Sequence, residues 1–391
     1  MRSTLPPGAA ALRDAAGWPV LLLFGIALPL SIAVSQIFLA VLVILWLAAG
    51  APYAVRPTAP AFFPPLAAYA AWTLLVSVPF SLAPAASLVE SREVLLFLVV
   101  PVVHGLAHGA RARTAVSAVL AAGAAAAAIG IVQYGFFDHD HLGRRPQGTM
   151  GHYMTYAGVL MLLAGAALAR LLFETRDRAR ALAALAALAV ALVVTLTRSA
   201  WTGAAIGAGL LLVLRDRRLL ALAPVAAALF MALAPPQVVS RVYSTFDLDD
   251  PTNRDRLAMV VAGAGMVRDH PLTGVGPGLV ETAYADYRPE DAVNETNPHL
   301  HNVPLQIAAE RGLPALALWG WFIVAAAMDL ARRFRDPASR TLAAGGLAGL
   351  AAMLAAGMFE YNFGDSEFLM LLLVLVTLPG AAAAAPAPRT T

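Results

Sequence analysis

The sequence predicts an all-α integral membrane protein with about 12 transmembrane helices and one large loop on the outer side of the membrane. Three observations carry this. Of 391 residues, 60% are hydrophobic and only 13% are charged, with a mean hydropathy of +0.72. A soluble domain carries roughly 45–50% apolar and about 25% charged residues, so its interior has no room for the excess. The apolar residues fall in runs of about 20, the length of a membrane span, punctuated by Arg, Pro or Gly. One long polar stretch, 235–312, interrupts the pattern late in the chain. The same hydrophobic content excludes a disordered chain.

The runs place helices at 17–33, 36–50, 61–78, 88–107, 114–136, 150–173, 180–196, 199–214, 218–234, 313–330, 341–358 and 366–380. The first is not a cleaved signal peptide, because a second run follows at once with no small-residue cleavage site between them. Residues 1–234 therefore hold nine helices, 235–312 the outer loop, 313–380 three more helices, and 381–391 a low-complexity tail. The loop opens with Pro235 and Pro236. Within it Leu257, Val260, Val261, Ala264 and Val267 recur at helical spacing, which predicts an amphipathic helix over 252–268 lying against the membrane-facing side. An outer loop of 78 residues in so compact a bundle is long enough to carry function.

Charge placement fixes the orientation. With the N-terminus in the cytoplasm, the inner side receives 17 of the 27 arginines and 6 of the 24 acids, a net of +11, and the outer side keeps 10 arginines and 18 acids, a net of −8. Short inner loops such as Arg215–Arg218 and Arg332–Arg335 follow the positive-inside rule. The basic pI of about 9.4 thus reports topology and gives nucleic-acid binding no support. The chain has no cysteine and no lysine, which excludes disulfides, a thiol nucleophile, cysteine-based metal sites and a lysine base.

Arginines on the outer side run against the charge trend. Arg198 lies in a tight turn between two apolar helices, Arg144 and Arg145 in the 137–149 loop, Arg254 and Arg256 at the start of the amphipathic helix, and Arg268 at its end. Guanidinium groups gathered at a membrane surface suit a phosphate or pyrophosphate; the alternative is snorkelling or pairing with the outer acids. Six of the eight histidines are also outer, and Asn297–Asn302 holds the densest pair, His299 and His301. A histidine there suits general-base work, against a solvated or capping role. On a strand the two rings would share a face. On a helix they would point about 200° apart, which argues against a shared metal. Asp138–His141 looks like a metal site by composition only, since consecutive residues rarely converge on one ion. The glycines of Thr273–Gly278 read as a turn, because no strand precedes them.

These residues resemble a known family. Arg256 opens a helix that ends in Asp-His-Pro-Leu-Thr-Gly-Val-Gly-Pro-Gly, similar to the loop of bacterial O-antigen ligases and the related O-antigen polymerases. His301-Asn302, nine residues and then Gly312 resemble the ligase signature, although Ala315 stands where its last glycine is expected and Val260 where an aromatic is usual. Arg198 in Thr-Arg-Ser-Ala-Trp resembles the family's arginine at the outer end of a central helix. The resemblance covers most of the chain in architecture, with specific motifs confined to 145–157, 195–203 and 254–315.

The resemblance implies a GT-C-like membrane glycosyltransferase of the bacterial inner membrane, with cytoplasmic termini and a periplasmic loop bearing the active site. It implies transfer of O-antigen from an undecaprenyl-pyrophosphate donor to a sugar hydroxyl of lipid A–core, inverting, without cofactor or metal. His301 is then the expected base, and Arg198 and Arg256 the expected catalytic cations holding the pyrophosphate. Arg145, Arg254, His299, Asn302 and Glu310 are expected around the substrates, with capping and packing open as the alternative for Asn302 and Glu310. O-antigen polymerase and protein O-oligosaccharyltransferase use the same donor and remain rivals. A lipid or sugar transporter is the rival from another class, but it would place ionisable groups near mid-bilayer.

Overall fold

The computed structural model describes residues 13–48, 59–247 and 249–383. The last two residues of the expected 36–50 run, Arg2, Arg56 and Arg389 of the charge count, and 384–391 of the expected tail lie outside them. Among the described residues every regular element is helical, apart from one isolated bridge between His141 and Arg144. The α-helices are α1 Trp18–Ala27, α2 Ile32–Ala48, α3 Phe63–Trp72, α4 Pro84–Glu90, α5 Val99–Leu106, α6 Ala110–Phe136, α7 Tyr153–Phe173, α8 Arg178–Val194, α9 Arg198–Asp216, α10 Ala223–Leu233, α11 Pro236–Tyr243, α12 Pro251–Asp269, α13 Val280–Tyr287, α14 Val303–Phe334, α15 Arg340–Ala356 and α16 Ser366–Ala383.

Four of these, α6, α7, α14 and α16, are long and apolar enough to cross a membrane, and Ala15–Ala27, Ile32–Ala48, Phe63–Ser77 and Arg340–Ala356 are shorter apolar helices. Two expected helices are broken. The 88–107 run becomes α4, a 3₁₀ segment Ser91–Leu98 and α5, where Glu90, Arg92 and Glu93 crowd one turn and Pro101 lacks a donor. The 218–234 run begins as a 3₁₀ segment, Arg217–Leu222, and turns α-helical only at Ala223, with Pro224 in the first turn, where proline is tolerated. The expected 313–330 helix starts ten residues earlier, at Val303, and is kinked where Gly312 leaves helical geometry ahead of Pro314.

The bundle is built round α16, whose side chains are buried without a break from Glu367 to Ala381. A helix apolar on all sides has to sit inside. Large apolar side chains face outward from other helices, among them Ile37, Ile44, Leu75, Leu95 and Leu229, a surface suited to lipid. Close packing of α9 on α15 depends on small residues. A β-carbon on Gly203 would come within 2.7 Å of the Ala352 carbonyl, and one on Gly207 within 2.9 Å of the Ala348 carbonyl. Gly203 and Gly207 are thus a small-xxx-small contact that fixes α9, and with it Arg198 at its first turn.

The 235–312 stretch folds over one end of the bundle with a core of its own: Met259, Ala262 and Met266 of α12 meet Val280, Ala283 and Tyr284 of α13, Leu300 and Ala309. The face of α12 that packs on the protein is therefore that of Ala258, Met259, Ala262 and Met266, and the Leu257, Val260 and Val261 stripe is left exposed. The glycine turn is clasped to α14. Val275 and Gly276 donate to the carbonyls of Ala309 and Glu310, and Leu313 donates to Pro271. Gly274 (φ +70°) and Gly312 (φ +81°) face each other's chain so closely that a β-carbon on either would lie 2.1 Å from backbone atoms opposite. The residues Thr273–Gly278 form a structural clasp.

Candidate active site

Asn302 caps α14, its side-chain oxygen accepting from Leu305 N–H at 2.9 Å while its amide donates to the Met358 carbonyl at 3.1 Å. Val303 N–H donates to the Gly357 carbonyl at 2.7 Å. These contacts lay the residue before the cap, His301, beside the short 357–365 connection between α15 and α16. His301 adopts φ +46°, a left-handed conformation rare outside glycine and met at strained functional positions. Its Nδ1 is 2.9 Å from Oε2 of Glu360, which is buried.

The 299–302 segment is irregular rather than helical, so both histidine rings lie on one side, 4.2 Å apart edge to face. His299 Nε2 approaches Glu360 Oε1 at 4.0 Å, and its Nδ1 is buried with no hydrogen-bond partner. Burial and the neighbouring His301 bring the His299 pKa down to about 4, so it is neutral at physiological pH. Burial alone would raise Glu360, but the hydrogen bond with His301, together with the electrostatics of the two histidines and the Tyr361 N–H, holds this carboxyl below its usual value. Tyr361 N–H donates to the other carboxylate oxygen at 3.1 Å. The donor atoms of His299, His301 and Glu360 all lie within 4.8 Å of one another, so these three are also where the described residues could hold a cation. The Asp138–His141 residues form no such group.

Next to the histidines four arginines share one electrostatic neighbourhood. Arg198 is buried and donates to the Ser244 carbonyl at 2.6 Å and to Asn253 Oδ1 at 3.1 Å, with Asp250 at 3.5 Å. Arg241, unnoticed in the sequence, is also buried and reaches the other Asp250 oxygen at 3.9 Å. Its pKa falls to about 10, through burial and then through Arg198 and Arg145. Arg145 stacks over the Tyr153 ring at 4.2 Å, and burial followed by proximity to Arg198 lowers it. Arg256, in the first turns of α12, is lowered by burial, while Glu360 opposes and Arg198 adds to that shift. Its Nε is buried without a hydrogen-bond partner. Four guanidiniums face two carboxylates, Asp250 and Glu360, which leaves two positive charges in excess.

Arg198 also lines an apolar cavity of about 540 Å³ beside α7, α8, α9 and α10, together with Leu168, Leu192, Trp201, Ala205 and Phe230 and with no other charged side chain. A cationic cluster that meets an apolar groove through Arg198 is suited to an amphiphile with an anionic head.

The remaining expected residues lie elsewhere. Arg254 is exposed. Glu310 is buried and spent on the clasp, accepting from Gly278 N–H and Gln306 Nε2 at 2.9 Å each and pairing with Arg311. Sequence reasoning missed Glu360, Arg241 and Asp250. The usable signal for Glu360 was two acids, Glu360 and Asp365, in a connection between two apolar helices.

Residues 182–320 match the family model described as O-antigen ligase. That stretch contains Arg198, Arg241, Arg256, His299 and His301, and leaves out Arg145 and Glu360. The comparison with curated proteins finds no match.

Proposed function

From an O-antigen ligase domain at residues 182–320, we propose that the protein transfers O-antigen from undecaprenyl pyrophosphate to a sugar hydroxyl of lipid A–core at the periplasmic face of the bacterial inner membrane. In this reading the chain crosses about 12 times with both termini in the cytoplasm, and 235–312 is the periplasmic loop. The observation that carries the reading is the excess of two positive charges in an arginine cluster that reaches an apolar groove through Arg198 and His301 through Glu360. A pyrophosphate diester bears about two negative charges and a polyprenyl chain, so one donor satisfies both halves.

The chemistry follows from these groups. His301, hydrogen-bonded through Nδ1, has Nε2 left to take the proton of the acceptor hydroxyl. The hydroxyl oxygen bonds to the anomeric carbon as that carbon's bond to the pyrophosphate oxygen breaks, and attack from the opposite side inverts the centre. Undecaprenyl pyrophosphate leaves with one more negative charge than the donor had. Arg256 and Arg198, with Arg241 and Arg145, stabilise that added charge in a partly desolvated pocket, so no proton need be given to the leaving group. Arg256 has the larger share, because Arg198 is already tied to the Ser244–Asn253 loop.

Complementation tests the proposal. In a strain lacking the O-antigen ligase, the wild-type chain restores the lipopolysaccharide ladder, and stably expressed His301→Ala and Arg256→Ala leave unmodified core with carrier-linked glycan accumulating. Restoration only in a polymerase-deficient strain would assign the same chemistry to a polymerase, and a full ladder from His301→Ala would remove the catalytic assignment.

A further inference from the structure

Nothing in the proposed reaction explains why a buried glutamate from the 357–365 connection should end against the base. We infer that Glu360 is a positioning residue for His301: it holds the proton on Nδ1 and turns Nε2 toward the acceptor hydroxyl. This rests on the reading of His301 as the base.

Four observations converge on it. The Nδ1 to Oε2 separation is 2.9 Å, a hydrogen bond between residues 59 apart in the chain. A carboxylate can only accept, so the imidazole nitrogen facing it carries the hydrogen, and in a neutral ring the other nitrogen is then the acceptor a general base needs. Glu360 cannot turn away, because Tyr361 N–H holds its second oxygen at 3.1 Å and it is buried. His301 cannot turn away either. Its backbone is fixed at φ +46° between the Asn302 cap and the buried Leu300, and the neutral His299 ring packs edge-on against it at 4.2 Å.

The joint between the two segments is built for this contact. Asn302 and Val303 bond to the Met358 and Gly357 carbonyls, so the cap that starts α14 also sets the distance from His301 to Glu360. Asp365, at the other end of the same connection, accepts from the Thr155 hydroxyl at 3.2 Å. Burial and the nearby Glu360 push its pKa up to about 8. Asp365 therefore stays largely protonated near neutrality and leaves Glu360 as the ionised carboxylate beside His301. A carboxylate that orients and polarises a histidine base raises turnover without touching either substrate.

The test compares wild type, Glu360→Gln, Glu360→Asp and His301→Ala, purified in nanodiscs with lipid-linked donor and lipid A–core acceptor. We expect Glu360→Gln to lower kcat roughly 100-fold, with KM for both substrates and Tm unchanged. Glu360→Asp, which keeps the charge on a shorter arm, should recover part of the loss, and His301→Ala should be inactive. A Glu360→Gln enzyme with wild-type kcat beside an inactive His301→Ala overturns the inference and leaves the proposed function standing. Wild-type kcat in both variants overturns the reading of His301 itself. A lowered Tm in Glu360→Gln with no rescue by aspartate assigns Glu360 a structural role and overturns the inference. So does a wild-type rate that chelator abolishes and added divalent cation restores, which would make the three side chains metal ligands.

Discussion

Two buried glutamates, Glu310 and Glu360, do different work, and only Glu360 touches the histidines. Glu310 accepts from Gly278 N–H and Gln306 and pairs with Arg311, and every one of these partners belongs to the clasp between the glycine turn and α14. Glu360 accepts from one backbone N–H and spends its other oxygen on His301. A carboxylate whose oxygens are all taken up by structural donors can only hold the fold. One that reserves an oxygen for an ionisable ring can set that ring's tautomer. Burial does not separate the two glutamates, and partner chemistry does.

The sharpest break between the regions comes from the arginines on the Glu360 side. Arg256→Ala removes a half-buried cation that makes no hydrogen bond or ion pair among the described residues. It should cost on the order of 100-fold in transfer rate and leave thermal stability nearly unchanged, read by donor turnover beside a melting curve. Glu310→Ala should do the reverse. It strands Arg311 in the interior, and breaking a buried pair from one side costs about 3–5 kcal/mol. The expected signs are a large fall in melting temperature and poor expression, with activity scaling to the amount of folded protein.

Asn302→Ala touches both regions, since its side chain caps α14 and ties it to Met358. The cap is worth about 1 kcal/mol, and the loosened joint should also reduce kcat several-fold, which paired melting and turnover measurements would separate. Asp365 sharpens the picture through pH. The folded protein keeps its proton to about pH 8, whereas an unfolded chain loses it near pH 4. Stability from this group is therefore fully present below about pH 4 and lost as pH rises towards 8. Asp365→Asn should flatten that slope in melting temperatures taken between pH 5 and 8. Arg254→Ala, on the exposed side of α12, should change turnover least of all.

The sequence made some of this legible. His301, Asn302 and Gly312 form a local pattern whose spacing survives in the structure as the histidine bonded to Glu360, the cap of α14 and its kink. Arg198 and Arg256 stood out because a cation on an acidic face needs a reason. The helix at 252–268 was readable from periodicity, although Met259, Ala262 and Met266 pack it, and the Leu257, Val260 and Val261 stripe does not. What stayed hidden depends on contacts distant in the chain. Glu360 meets His301 across 59 residues, and Arg241 joins Arg198 only after the loop has folded back. Glu310 was open in the sequence between orienting a substrate and packing, and its contacts are with Gly278, Gln306 and Arg311. The run at 88–107 read as one helix because hydropathy averages over the polar turn that breaks it.

The central claim is that His301, beside four arginines, drives glycan transfer from a lipid pyrophosphate. The most direct measurement follows transfer of labelled glycan from undecaprenyl pyrophosphate to lipid A–core by the purified protein in nanodiscs, together with release of the free carrier. The account predicts one carrier released per glycan transferred by the wild-type protein, and neither event from His301→Ala at an unchanged melting temperature. Transfer at the wild-type rate by folded His301→Ala would contradict it.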